Sequence, residues 1–267
     1  MALPVSVQIC TLNEVNNIVE CLETVRDNEP EDVLVIDGGS TDNTVKLARK
    51  AGARVIEAGP IGLARQRRLG YLNSPCSLTA FVDADDRLEP EWLSTMVHEL
   101  EQGHYAALQS LLRVPSPRNF WESAWHEYFQ ETVQPTTDTI MVGRPALYRT
   151  EVLLGIEPEP NMIVEDTEMS RDLVLRGLRQ GIGTAISYRL CPDTTTANLS
   201  TWRNYGRGYR QFVDQHPDRT PAILKHMLWT IPVRRSLGPV ARGRINQPIF
   251  GLLAGCSALY GFVRADN

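Results

Sequence analysis

The chain of 267 residues is poor in lysine, which supplies only three of its 27 basic residues, and its five cysteines include no CxxC pair. An odd number of widely spaced cysteines argues against a disulfide scaffold or a zinc site and is typical of reduced thiols in an intracellular protein. The opening residues, MALPVSVQIC, place no basic segment ahead of an apolar one, so they do not form a secretory signal. We therefore expect a cytoplasmic protein.

Low-complexity tracts and internal repeats are also lacking, and 42% hydrophobic with 22% charged residues excludes disordered and collagen-like classes. Charge is unevenly distributed. Residues 1–198 carry 17 basic and 29 acidic residues, a net charge of −12, whereas residues 199–267 carry 10 and 3, a net charge of +7. The acidic part argues against nucleic acid as a partner, while the basic part suits phosphates or lipid headgroups. We accordingly expect two regions, 1–198 and 199–267.

Strand and helix patterns alternate through the first third of the chain. The predicted strands are Pro4–Cys10, Asp32–Asp37, Val55–Ile56 and Thr79–Val82. Alternation of this kind predicts βαβ units and a parallel sheet, whose binding crevice lies at the carboxyl ends of the strands. Three polar segments fall at those ends, namely Thr11–Glu14, Asp37–Asp42 and Asp83–Asp86. We expect them to meet.

The pattern after residue 90 is less regular. Helices are predicted from Pro90 to Leu100, Asn119 to Phe129 and Glu165 to Arg176, and strands at Ala106–Leu112, Ile140–Arg149 and Ile182–Leu190. The apolar and basic residues that follow predict a helical C-terminal tail.

The segment Asp83-Ala84-Asp85-Asp86 follows an apolar strand. Carboxylate oxygens are the ligands that Mg²⁺ and Mn²⁺ prefer, and such an ion can bridge a diphosphate. The alternative is a solvated turn that caps the helix beginning at Pro90.

Two further motifs have similar alternatives. In Asp37–Asp42 the glycines allow close approach of the backbone to a ligand, or they form a turn after which Ser40 or Thr41 caps a helix. Glu165 and Asp166 open a helix, where a carboxylate can serve as a general base or can simply interact with the helix dipole.

In order and spacing these motifs resemble those of the inverting family 2 glycosyltransferases. The matching stretches are TLNE at 11–14, DGGSTD at 37–42, RRLG at 67–70, DADD at 83–86 and EDTEMSRDL at 165–173. The resemblance covers roughly residues 4–190. It implies a GT-A fold, which is a Rossmann-like, mostly parallel sheet flanked by helices, a nucleotide-diphosphate sugar as donor (a UDP- or GDP-sugar), and a Mn²⁺ or Mg²⁺ ion.

The resemblance also implies roles for single residues. Thr11, Asn13, Glu14 and Asp37 would line the nucleoside pocket, with Arg67 and Ala84 also on the donor. Asp83 would face the ribose or diphosphate and share the metal with Asp85. Asp166 would be the catalytic base, and Glu165 a supporting or acceptor-contacting residue.

Two departures from the family leave the nucleotide open. Gly38 stands where many members have a second acidic residue, and Arg68 where many have asparagine. The Gln-x-x-Arg-Trp signature of processive members is absent, which predicts transfer of one sugar to each acceptor, either a glycan or a polyprenyl-phosphate-linked molecule.

Two other functions remain as alternatives. A sugar-phosphate nucleotidyltransferase requires a Gly-rich basic loop after the first strand, but Thr11–Glu14 occupies that place. A catalytically silent nucleotide-sugar-binding scaffold would be expected to lose its carboxylates, yet Asp83, Asp85 and Asp166 are present.

The tail contains 19 uncharged residues between Arg244 and Arg264. This is short of the ~20 apolar residues that cross a bilayer, and Pro248 precedes the apolar part. With the arginines just upstream, residues 234–263 are predicted to form an interfacial membrane contact. The alternative is close helix packing at Gly251 and Gly255, on the catalytic region or in a homo-oligomer.

A few basic, aromatic and histidine residues outside these motifs are further candidates for acceptor or metal binding. Arg149 and the stretch Trp202–Arg210 could hold acceptor phosphate or sugar, and His216 or His226 could approach the metal.

Overall fold

The computed structural model describes residues 2–234 and 246–265. Contacts divide these residues into two units. The first comprises the described residues up to Arg113, Gln134–Asn161 and Glu165–Arg189, and the second comprises Val114–Val133, Met162–Val164 and the described residues from Leu190 onward. The sequence suggested a boundary between residues 198 and 199; the C-terminal segment of the second unit begins at Leu190 and is joined by two earlier segments.

The first unit is built on one eight-stranded sheet. Its strands are β1 Leu3–Thr11, β2 Pro30–Asp37, β3 Arg54–Glu57, β4 Leu78–Asp83, β5 Asp86–Leu88, β6 Ala107–Arg113, β7 Ala146–Arg149 and β8 Gln180–Arg189. The order across the sheet is β3-β2-β1-β4-β7-β6-β8-β5. Strands β5 and β7 pair antiparallel with their neighbours, and the remaining pairs are parallel.

Helices connect the strands and form the second unit. The α-helices are α1 Ile18–Arg26, α2 Thr44–Lys50, α3 Leu63–Leu72, α4 Trp92–Gln102, α5 Phe120–Thr132, α6 Thr150–Leu154, α7 Glu165–Leu175, α8 Thr195–Gln215, α9 Thr220–Lys225 and α10 Asn246–Val263. A 3₁₀ turn at Pro217–Arg219 and a π-helix at His226–Arg234 flank α9.

Strand β1 lies at the centre of the parallel part of the sheet. Its apolar residues Val5, Val7 and Ile9 are buried, as are the intervening Ser6 and Gln8, because a parallel strand is covered on both faces. Helix α1 packs on this core through residues spaced three and four apart, Ile18, Cys21, Leu22 and Val25.

Strand register brings the polar motifs to one edge. Thr11 is opposite Asp37 in the β1–β2 pair, and Cys10 is opposite Asp83 in the β1–β4 pair. Strand β5 returns antiparallel to β8, so Asp86 is opposite Arg189. The expected meeting of the three motifs at the carboxyl edge is therefore confirmed.

Two local predictions were wrong. The predicted strand from Ile140 to Arg149 is reduced to Ala146–Arg149, and the preceding loop contains a cis Arg144–Pro145 peptide. Helix α2 begins at Thr44 and is not capped by Ser40 or Thr41, because Asp42 accepts a hydrogen bond from the Thr44 amide instead (2.9 Å).

The second unit is held by close helix packing. A Cβ added to Gly206 of α8 would collide with the carbonyl oxygen of Ala258 in α10, and one added to Gly261 would collide with that of Arg203. Trp125 stacks on Trp202 at 5.4 Å between ring centroids, and Phe250 of α10 meets both rings edge-on. A Cβ added to Gly255 would lie 2.9 Å from the carbonyl oxygen of Met227, so one of the two glycines named for close packing lies at such a contact in this unit.

None of the helices within residues 2–234 and 246–265 is long and apolar enough to cross a bilayer. Residues 235–245, part of the predicted contact segment 234–263, lie outside the described residues.

Candidate active site

Three carboxylates form a cluster at the carboxyl edge of the sheet. Asp83 ends β4, Asp86 begins β5, and oxygens of Asp83, Asp85 and Asp86 lie within 4.8 Å of one another. Asp86 is fully buried and accepts a hydrogen bond from the Asp83 amide (3.0 Å), whereas the Asp85 side chain is 37% exposed. A set of three close carboxylates, one of them open to solvent, fits a hard divalent ion. The cluster does not cap α4, whose N-cap residue Glu91 makes no side-chain cap bond and whose Leu93 amide donates to Asn28 (2.9 Å).

Three arginines compensate this negative charge. The first is Arg67 of α3, which is 1% exposed and donates to Asp83 (2.8 Å) and to Glu165 (2.9 Å). It also lies over the Phe81 ring, 5.2 Å from the centroid. Arg67 is buried between protein carboxylates, and the nucleotide contact that the resemblance implies for it stays a prediction. Arg67 joins the first residue of α7 to the end of β4.

Arg144 is the second of these arginines. Its guanidinium donates to Glu165 (2.6 Å) and lies 3.5 Å from Asp83 and 3.7 Å from Asp166. The third, Arg189 at the end of β8, donates to Asp83 (2.7 Å) and to both oxygens of Asp86 (2.8 and 2.9 Å). Both are largely buried, with side chains 14% and 19% exposed.

The arginines divide the cluster into two electrostatic environments. Burial alone would raise the pKa of Asp83, but Arg144, Arg189 and Arg67 outweigh it and hold that pKa far below the ordinary range. Burial raises the pKa of Asp85 to about 7, helped by the neighbouring charges of Asp86 and Asp83 and opposed by Arg189. Asp83 is therefore a fixed anion, and Asp85 is the member whose charge is least compensated.

Glu165 and Asp166 open α7, and their side chains differ in burial and in their partners. Glu165 is fully buried and receives Arg67 and Arg144 on one oxygen, so it holds these two arginines. A contact from Glu165 to an acceptor stays a prediction. Asp166 is 20% exposed, and one of its oxygens accepts from the Thr167 amide (2.8 Å). Burial raises its pKa, Glu165 adds to the increase, and Arg144 opposes it.

The residues expected to hold the nucleoside lie beside the cluster. Asp37 is buried and accepts from Thr11 Oγ1 (3.0 Å), the Gly39 amide (3.0 Å) and the amide (2.8 Å) and hydroxyl of Ser40. These four hydrogen bonds occupy the acceptor sites of the Asp37 carboxylate, so Asp37 organises the loop. A contact from Asp37 to a nucleoside stays a prediction.

Asn13 accepts from the Thr41 amide (2.9 Å) and is exposed, with a φ of 58°. Glu14 is partly exposed and accepts from Asn17 (2.8 Å). A Cβ at Gly38 would displace the end of the flexible Gln66 side chain and would lie 3.3 Å from the carbonyl oxygen of Thr11. Ala84 is buried, and its carbonyl oxygen accepts from Arg87 (3.1 Å).

Sequence reasoning missed Arg144, Arg189 and Asp86 as partners in the site. Arg189 is the one charged residue of the predicted strand Ile182–Leu190 and lies near its carboxyl end, which was the available signal. Arg149 is not at the site, since it pairs with Glu101 (2.9 Å) and lies opposite Leu78, at the other end of β4.

The two histidines are likewise placed elsewhere. His216 contacts the Phe212 ring and His226 the Tyr209 ring in the second unit. Within the described parts of the chain, the cluster of potential metal ligands contains no histidine.

A sequence model described as Glycosyl transferase family 2 matches residues 6–155. The chain belongs to this family. Among curated relatives, glycosyltransferase AglJ of Haloferax volcanii is 34% identical over 97 residues, or 35% of this chain and 31% of that protein. A glycosyltransferase of Rickettsia conorii is 33% identical over 33% of this chain and 30% of that protein. The matches thus span about a third of the relatives' length.

Solved structures show the same fold. Mannosyltransferase PcManGT of Pyrobaculum calidifontis, in complex with GDP-Man and Mn²⁺, matches 100% of this chain and 89% of its own with a TM-score of 0.70 and 15% identity. TarS of S. aureus, residues 1–349 with UDP-GlcNAc, matches 100% and 82% with a TM-score of 0.61 and 16% identity. The family 2 chain accordingly has the GT-A fold, and the expected fold class is confirmed.

The buried position of Arg67 predicts a large loss of stability on its removal. Arg67→Met should lower the free energy of unfolding by about 3–5 kcal/mol, because it takes one partner from buried carboxylates. The neighbouring Arg68→Met is the matched control. Arg68 is 42% exposed and pairs with the exposed Glu157, so the loss there should stay below about 1 kcal/mol. Urea denaturation measures both, and equal small losses would contradict the assignment.

Proposed function

We propose that this family 2 chain is an inverting, non-processive glycosyltransferase that moves one sugar from a nucleotide-diphosphate sugar to an acceptor hydroxyl. The observation that carries the proposal is the reach of Arg144. Its guanidinium lies 3.5 Å from Asp83 and 3.7 Å from Asp166. A carboxylate of the proposed donor site and the proposed base are thus separated by one guanidinium group, which suits a reaction at the bond between sugar and diphosphate.

The carboxylate cluster fits a Mn²⁺ or Mg²⁺ ion, with Asp85 as the most available ligand and Asp83 beside it. When bound, such an ion would neutralise charge that develops on the leaving diphosphate. The chain's own contribution is to fix the ligands, since Arg67 and Arg189 hold Asp83 from two sides (2.8 and 2.7 Å).

Asp166 is the proposed general base. An inverting transfer needs a group that takes the proton from the acceptor hydroxyl as the bond to the diphosphate breaks. One oxygen of Asp166 is held by the Thr167 amide, and the other faces Arg144 at 3.7 Å, too far for a hydrogen bond. That oxygen is available for an acceptor, while Glu165 supports it by holding Arg144.

The donor proposal is supported by the proteins with the same fold. The mannosyltransferase was solved with GDP-Man and Mn²⁺, and glucosyl-3-phosphoglycerate synthase of Mycobacterium tuberculosis, with a TM-score of 0.59 and 19% identity over 79% of this chain, with UDP and Mn²⁺. Both UDP- and GDP-sugars are therefore compatible with this architecture.

Asp166→Asn should reduce the release of nucleoside diphosphate from the donor by about a hundredfold or more, because an amide cannot accept the proton. Donor binding, measured by calorimetry, should stay nearly unchanged. The control is Asp172→Asn on the same helix, where the carboxylate is 38% exposed and pairs with Arg176. Full activity of Asp166→Asn would contradict the base assignment, and donor binding without turnover in the unaltered protein would favour the silent scaffold.

The acceptor is proposed to be a glycan or a polyprenyl-phosphate-linked molecule, reached at an anionic membrane surface. Helix α10 carries no charged residue and leaves one apolar face uncovered in the described structure. Its exposed side chains follow helical spacing and are Ile249, Leu252, Cys256, Tyr260 and Val263.

Charge beside that face favours lipid as its occupant. Arg203 and Arg264 both lie over the Tyr260 ring, at 5.5 and 5.2 Å from the centroid. Exposed Leu228 and Trp229 add apolar surface in the same unit. Apolar side chains with flanking arginines and interfacial aromatics are the features of a helix that lies in the headgroup region of an anionic bilayer.

The full chain should sediment with vesicles rich in phosphatidylglycerol and much less with phosphatidylcholine vesicles or at high salt. Leu252→Asp should abolish this binding, because a charge enters the apolar face. Leu175→Asp, which alters another exposed leucine in the first unit, is the control and should bind as before. A chain that ignores both vesicles but dissociates from dimer to monomer on Leu252→Asp would contradict the membrane proposal and assign the face to a second copy.

A further inference from the structure

Arg189 makes contacts that neither of the other two site arginines makes. Its guanidinium donates to Asp83 and to both oxygens of Asp86, and its Nε lies 3.9 Å from Asp85. Arg67 and Arg144 each approach only Asp83 among these three carboxylates. Arg189 therefore places a positive charge against every member of the cluster that fits a divalent ion.

The same oxygens cannot serve Arg189 and a metal equally well. A divalent ion of this kind binds carboxylate oxygens at about 2.0–2.6 Å, which requires lone pairs directed at the ion. In the described structure the Asp83 oxygen nearest Arg189 is 2.7 Å from the guanidinium, and both Asp86 oxygens are engaged by it. A cation entering the cluster would also be repelled by the charge of Arg189.

We propose that Arg189 is an internal counter-ion that holds the carboxylate cluster when no metal is bound and passes to the donor's diphosphate when the metal enters. The inference rests on the proposed function. A planar guanidinium binds phosphate oxygens through paired hydrogen bonds as readily as it binds carboxylates, so the diphosphate offers Arg189 an equivalent partner. Metal and nucleotide are thereby coupled through one side chain.

In this arrangement the binding of metal and the binding of nucleotide favour each other. A metal that binds alone leaves Arg189 without a full set of acceptors in a largely buried place, whereas metal with nucleotide supplies new ones. By thermodynamic linkage, each ligand then strengthens the binding of the other by the same factor. In this proposal Arg189 is the counter-ion first of the carboxylate cluster and then of the diphosphate.

The test measures binding of Mn²⁺ to the full chain by its electron paramagnetic resonance signal, with and without UDP or GDP. In the unaltered protein, nucleotide should tighten Mn²⁺ binding by about tenfold or more. Arg189→Met should tighten binding of Mn²⁺ alone by about tenfold, since the competing charge is gone, and should bring the coupling factor close to one. Arg189→Lys keeps the charge and should retain weak binding of Mn²⁺ alone.

Two further variants make the result decisive. Arg149→Met is the matched control, since Arg149 pairs with Glu101 at the other end of β4 from the cluster, and it should leave the coupling intact. If Arg189→Met does not fold because Asp86 is left buried and uncompensated, Arg189→Met with Asp86→Asn removes both charges and should also lose the coupling.

The outcomes separate the two proposals. If the unaltered protein binds nucleotide and Mn²⁺ together, but Arg189→Met leaves Mn²⁺ affinity unchanged or weaker, Arg189 only supports the fold of the site and the inference is overturned. If the unaltered protein binds neither Mn²⁺ nor any nucleotide, the proposed function fails and the inference falls with it.

Discussion

The buried ion pairs of Arg67 are the constraint on which the site depends. Arg67 and Glu165 are 98 residues apart in sequence, and their side chains are 1% and 0% exposed. A charge placed so far from water is tolerated only when it is paired, so the α3 arginine fixes where α7 begins. Since α7 opens with Glu165 and Asp166, the same pairing sets the proposed base relative to Asp83 at the end of β4.

The arginines also explain how neighbouring carboxylates acquire different properties. Asp83 receives Arg67 and Arg189 directly and stays ionised, whereas burial raises the pKa of Asp85, which Arg189 approaches only to 3.9 Å. The pKa of Asp166 is also raised, because the effects of burial and of the Glu165 charge outweigh that of Arg144. Fixed anions next to groups that gain and lose charge more readily are typical of sites that bind ions and transfer protons.

The sheet and the meeting of the motifs could be predicted because both follow from local signals. Apolar alternation marks β1, and parallel register then brings Thr11, Asp37 and Asp83 to one edge. The three-residue strand β5 has no such signal, because it depends on pairing with the distant strand β8.

Side-chain partners were the least predictable part of the site. Arg67 and Arg149 were both expected to meet ligands, and their protein partners, Glu165 and Glu101, were not foreseen. Arg144 and Arg189 had no motif of their own. An arginine's partner depends on where the fold brings it, and spacing in sequence does not encode that position when the partner lies about 100 residues away, as Asp86 does from Arg189.

The central claim is that the carboxylate edge of the sheet is a metal-dependent donor site. Calorimetric titration of the full chain with UDP and with GDP, in the presence and absence of Mn²⁺, tests it without knowledge of the acceptor. The account predicts that at least one nucleotide binds strongly only with Mn²⁺, and that Asp85→Ala removes the metal dependence. Binding that is equally strong without metal, or unchanged in Asp85→Ala, would contradict it.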